Sequence, residues 1–110
     1  MISLLEQNRP ALVEICRRFN VRKLYVFGSA AAGGFNPVSS DFDFLVDLAD
    51  REPTRDYADR YLGLAESLET LFSRPVDLLT EQSLRNPYLR REVRLTRELI
   101  YENSRAEAAV

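Results

Sequence analysis

The sequence predicts an α+β domain, a small mixed sheet of about three strands covered by helices on one face. Apolar residues recur at helical intervals near the start of the chain and again after residue 54, a period-2 alternation runs from Asp41 to Leu48, and short β-rich runs end at Gly or follow Pro. With 110 residues, 45% hydrophobic and 29% charged, there is material for one core. Residues 1–102 are therefore read as a single domain and 103–110 as a frayed tail.

Taken in order, Leu4, Leu5, Leu12, Ile15, Cys16 and Phe19 mark a helical stripe from Ile2 to Asn20. Pro10 starts a second segment, with the break near Asn8. Lys23 to Phe27 reads as a first strand stopping at Gly28-Ser29. Ala30 to Ala32 favour a brief helix, and Gly33 to Ser40 are loop chemistry. In the second strand, Phe42, Phe44 and Val46 take one face while Asp41, Asp43 and Leu45 take the other. Thr54 can cap a helix whose apolar set is Tyr57, Tyr61, Leu64, Ala65, Leu68, Leu71 and Phe72. Arg74-Pro75 ends it, and Val76 to Leu79 form a third strand whose pairing direction the sequence leaves open. Glu81 to Arg85 and Tyr88 to Ile100 are expected to be helical, with Pro87 between them.

Composition removes several kinds of chemistry. The chain has no histidine, which excludes Ser-His-Asp triads, Cys-His nucleophiles and imidazole acid-base steps and leaves carboxylates to do any catalysis. A formal charge of −2, from 15 basic and 17 acidic residues, argues against strong nucleic-acid binding. The single cysteine, Cys16, falls on the helical stripe and is read as core, with no disulfide. No export signal is expected and no apolar run nears the roughly 20 residues of a membrane span, so the expected home is the cytoplasm.

The remaining acidic residues are informative. Asp41 and Asp43, two apart on a strand, point to the same side with Cα atoms roughly 6.5 to 7 Å apart. Such a pair repels itself unless an oxygen-seeking divalent cation neutralises it, or unless both side chains sit at a solvated strand end. Gly28-Ser29 lies between a strand and an alanine run, where helix-start N–H groups can meet a phosphate and where Ser29 can equally be a helix cap. Asp77 is a carboxylate inside the otherwise apolar Val76-Asp77-Leu78-Leu79.

In order and spacing, Phe27-Gly28-Ser29, Ser40-Asp41-Phe42-Asp43-Phe44-Leu45-Val46 and Val76-Asp77-Leu78-Leu79 resemble the minimal nucleotidyltransferases of the polymerase-beta-like superfamily. The resemblance extends from the opening helix to Glu98-Leu99-Ile100-Tyr101-Glu102 and implies the polymerase-beta-like nucleotidyltransferase fold. It implies that Asp41 and Asp43 hold two Mg2+ ions, with Asp77 the third carboxylate, and that Gly28, Ser29 and Ser40 bind the nucleotide. The expected reaction moves AMP from ATP to an acceptor hydroxyl, with Asp77 orienting that hydroxyl or taking its proton.

Chains of this size and form also resemble the antitoxin of HEPN/MNT toxin-antitoxin pairs, in which AMP passes to a tyrosine of a HEPN-type toxin. Arg90, Arg94 and Arg97 fall on one face of the expected last helix and are the candidate surface for that partner. The chain departs from the family in carrying Ala30-Ala31-Ala32 where an arginine usually follows Gly-Ser, and in a loop one residue longer. These departures favour an alternative, a catalytically silent antitoxin that neutralises its partner by binding alone. A transferase acting on a small hydroxylated molecule ranks last, and self-association is left open.

Overall fold

A computed structural model of the chain describes residues 3–28, 42–48 and 55–103. Its elements are α1 (Ser3–Gln7), α2 (Arg9–Arg18), β1 (Val21–Phe27), β2 (Phe42–Leu48), α3 (Arg55–Phe72), β3 (Val76–Leu79), a 3₁₀ turn (Glu81–Ser83), α4 (Pro87–Thr96) and β4 (Glu98–Glu102). The expected break falls at Asn8, the residue before α2. Pro10 sits in the first turn, where its missing N–H has no intrahelical partner to lose.

The α3 helix buries Leu64, Leu68 and Phe72 on the predicted stripe. It ends where Ser73 turns left-handed at φ 54° and the Arg74 N–H reaches back to the Glu69 carbonyl. That is the closing geometry of a helix whose last carbonyls are satisfied from beyond its end. Thr54, the expected cap, lies outside the described residues, as do Ala30 to Ala32.

The sheet has four strands in the order β3-β2-β1-β4. β1 runs antiparallel to β2 and β4, while β2 and β3 are parallel, with α3 as their crossover. The alternation in β2 fixes which side chains face where. Phe42, Phe44 and Val46 join the main core with Leu12, Cys16, Leu64, Leu68 and Phe72. On the opposite face, Leu45 packs with Phe27, Leu84 and Val93.

Cys16 is buried, and burial pushes its thiol up to about 12, in keeping with its reading as core. Side chains from the helices cover both outer edges of the sheet. Glu69 accepts from the Val76 N–H and Tyr61 donates to the Leu78 carbonyl on β3, while Arg9 donates to the Ile100 carbonyl on β4. Edge groups answered in this way offer little template to a foreign strand.

Three expectations are corrected. The sheet has four strands, because Glu98–Glu102 is β4 and does not continue a helix through Ile100. Ile100 lies seven residues beyond Val93, so helical periodicity runs on across the junction, but Arg97 takes an extended backbone at ψ 142° and breaks the turn. Pro87 is the first residue of α4, capped by the Asn86 side chain, and Glu81 to Arg85 contracts to the 3₁₀ turn at Glu81–Ser83. Helices also do not cover one face only, since Leu84 and Val93 bring the 3₁₀ segment and α4 onto the second face. At the chain's end, the Asn103 N–H still bonds the Arg22 carbonyl, and residues 104–110 lie outside the description.

Candidate active site

The second face of the sheet carries the acidic residues. Phe27 on β1 pairs with Asp43 on β2, and Asp43 pairs with Asp77 on β3, so the three form one row across adjacent strands. Cross-strand partners share a face, with neighbouring strands roughly 4.8 Å apart. The register thus brings together two carboxylates separated by more than thirty positions in sequence, because the parallel β2-β3 pairing sets them side by side. Asp43 is half-buried on an inner strand, whereas Asp77 is exposed on the edge strand.

Gly28 closes this row from above. Its φ of +71° is a left-handed conformation that favours glycine, and a Cβ built on it would lie 2.6 Å from Asp43 Oδ2. The backbone leaving β1 therefore passes directly against the Asp43 carboxylate in space that any other side chain would fill. Like charges at paired strand positions destabilise one another unless neutralised. A divalent cation held between Asp43 and Asp77, with room left by the absent Cβ, fits both the charge and the space.

Of the residues expected to form the site, Gly28, Asp43 and Asp77 are brought together. Asp41, Ser29 and Ser40 lie outside the described residues. Among the described residues no group of three acidic, histidine or cysteine side chains converges, so the described part of the site supplies two carboxylates.

Behind the acidic row, Lys23, Tyr25, Leu45, Asp47, Glu81 and Arg97 line a cleft of about 180 Å³. Arg97 lies over the Tyr25 ring, 4.5 Å from its centre, and its Nη1 is 3.2 Å from Glu81 Oε1. The sequence reading did not single out this cleft. Its one available signal was the alternation of Lys23, Tyr25 and Phe27 along β1, which puts Tyr25 on the acidic face.

Two of the three arginines expected to face a partner have partners within the fold. Arg90 donates to the Leu84 carbonyl, and Arg97, beyond the end of α4, is held by Glu81 and Tyr25. Arg94 alone of the three is exposed. Arg90 thus ties α4 to the end of the 3₁₀ segment, and Arg97 ties the end of α4 to that segment and to Tyr25 on β1.

Comparison with known proteins places the chain in a family. The family model described as "Nucleotidyltransferase domain" matches residues 10–100. A chain of Methanocaldococcus jannaschii assigned as a protein adenylyltransferase is 33% identical over 84 residues, covering 76% of this chain and 79% of its own length. A solved structure assigned as a minimal nucleotidyltransferase is 33% identical, with a TM-score of 0.60 over 86% of this chain and 90% of the other. A chain from the complex of a tri-AMPylated Shewanella oneidensis HEPN toxin with an MNT antitoxin has a TM-score of 0.60, covering 94% of this chain and 77% of its own. At 19% identity, that last likeness is one of fold.

Proposed function

The chain belongs to the nucleotidyltransferase domain family, and from that premise we propose that it is an antitoxin that moves AMP from ATP onto a tyrosine hydroxyl of a HEPN-type toxin. The observation that carries the proposal is the pairing of Asp43 with Asp77 beneath the Gly28 turn. The M. jannaschii relative supports protein adenylylation, and the S. oneidensis complex supports the HEPN-type acceptor and AMP as the group transferred.

The two carboxylates differ in burial, and their roles follow from that difference. Asp43, half-buried under the Gly28 turn, is the anchor on the nucleotide side, where backbone can approach a phosphate closely. Asp77, exposed on an edge strand, faces the approach of a protein acceptor. It orients the tyrosine hydroxyl and accepts its proton as the oxygen attacks the α-phosphorus. The bond from that phosphorus to the bridging oxygen of the β-phosphate breaks, and pyrophosphate departs with the electron pair.

Asp43 and Asp77, joined by Asp41, would hold two Mg2+ ions, which when bound supply charge neutralisation at the attacking and departing oxygens. Ser29 and Ser40 are assigned to the nucleotide. The cytoplasm, where ATP is abundant and the buried Cys16 stays a thiol, is the compartment that suits this reaction.

The test is transfer of label from α-labelled ATP and magnesium to a co-purified HEPN-type protein. Label on a tyrosine of that protein, lost with Asp43→Asn, is the expected result. Label that stays wholly in the nucleotide would refute catalysis.

A further inference from the structure

The α4 helix sits on the same sheet face as the acidic row, with Val93 packed against Phe27, the residue paired with Asp43. A protein acceptor reaching Asp77 therefore arrives beside α4. Helical geometry puts Tyr88, Arg91 and Leu95 on one stripe directly opposite Val93. The stripe is unusually apolar for one facing solvent: Tyr88 is 85% and Leu95 71% exposed. Just beyond the helix, Leu99 on β4 is 45% exposed. Arg91 and Arg94 are exposed along the helix, where Glu92 is the one acidic residue.

This local excess of positive charge contrasts with the chain's formal charge of −2 and calls for a carboxylate-bearing counterpart. An apolar centre of Tyr and Leu with arginines around it is the composition of a protein interface. Nucleic acid fits less well, since two of the most exposed positions are apolar or aromatic and Glu92 lies among the arginines.

Resting on the function proposed above, we infer that the Tyr88-Arg91-Leu95 stripe of α4 is the docking surface for the acceptor protein, and that the docked face of that protein is apolar at its centre and carboxylate-rich around it. The stripe holds the acceptor while Asp77 addresses its hydroxyl. The arginines committed to Glu81, Tyr25 and Leu84 keep α4 in place and do not contact the partner.

The experiment is calorimetric titration of the HEPN-type protein with the full chain, with Arg91→Glu/Leu95→Asp and with Asp43→Asn. These surface changes leave Val93 and the sheet untouched, and thermal melting checks that they do. The expected result is affinity lowered about 100-fold or more in the double variant and retained in Asp43→Asn. A single Arg91→Glu variant should bind more weakly, and wild-type affinity should fall with added salt. Wild-type affinity in the double variant, with label transfer intact, overturns the docking surface and leaves the proposed function standing. Absence of any complex with the unaltered chain overturns both. Tight binding of a single-stranded RNA oligonucleotide that the double variant alone abolishes, with the protein complex intact, also overturns the docking surface.

Discussion

Gly28 and Asp43 are so close that a Cβ on the first would stand 2.6 Å from Oδ2 of the second. The atom it meets is the far end of a side chain rather than backbone, so a Gly28→Ala change displaces the carboxylate and not the strand. Its backbone must still hold a φ of +71°, which costs an alanine about 1 kcal/mol. Gly28→Ala is therefore expected to lower stability by about 1 kcal/mol while reducing AMP transfer at least about 100-fold, because a small displacement of a reacting group is expensive. Urea denaturation beside a label-transfer assay measures both, and loss of activity in proportion to unfolding would remove the glycine from the site.

Asp77→Asn separates two roles for the exposed carboxylate. If Asp77 handles the acceptor hydroxyl as well as helping to hold the cations, the amide should cut transfer by about 100-fold or more, well beyond its loss of Mg-ATP affinity. Stability should move by less than about 0.5 kcal/mol, since the side chain is exposed. Calorimetric titration with Mg-ATP decides the matter: equal losses of affinity and transfer would make Asp77 a plain metal ligand.

Much of this site was legible because strand alternation is a strong signal. Asp43 falls between Phe42 and Phe44, both fully buried, so its outward face follows from period 2 alone. Asp77 was detectable as a carboxylate among Val76, Leu78 and Leu79, but its pairing with Asp43 depends on a parallel register that single-strand patterns do not encode. Propensity and periodicity also failed at β4, where Leu99, Ile100 and Tyr101 extend the helical spacing of α4 and only the antiparallel partner β1 makes them a strand. The arginines show the same limit: a helical angle predicts direction, but not that Arg97 would find Glu81 and Tyr25 within reach.

Gly63, in the middle of α3, shows a tertiary constraint overriding helix propensity. In an open helix Gly→Ala gains about 1 kcal/mol, but here a Cβ would lie 2.6 Å from Phe19 Cε1 and 3.1 Å from Cζ. Phe19 packs against the main core at the end of α2, so its ring cannot withdraw without losing contacts. Gly63→Ala alone should therefore destabilise by about 1 to 2 kcal/mol. In a Phe19→Leu background the same change should turn neutral or stabilising, giving a coupling of about 1 kcal/mol or more. Additive urea midpoints across the four proteins would show that Phe19 is not the obstacle.

The buried thiol sets the alkaline limit of stability. Cys16 is raised from 9.0 to about 12 by burial, so the folded chain keeps a proton that the unfolded chain releases near pH 9. Between those values the unfolded state binds fewer protons, and stability falls as pH rises by about 1.4 kcal/mol per unit. The contribution is complete below the unfolded value and is lost as pH climbs toward the folded one. Tyr61 and Tyr101, both raised chiefly by burial, add losses of the same sign above 10.0, the ordinary value for tyrosine. Cys16→Ala should be less stable at neutral pH by about 1 to 2 kcal/mol through lost packing. Its profile between about pH 9 and 10 should nevertheless be flatter, because the titrating group is gone while the tyrosines have barely begun to ionise. Urea midpoints measured in reductant across that interval distinguish the two proteins, and parallel profiles would mean that the Cys16 thiol ionises in the fold as readily as in the unfolded chain.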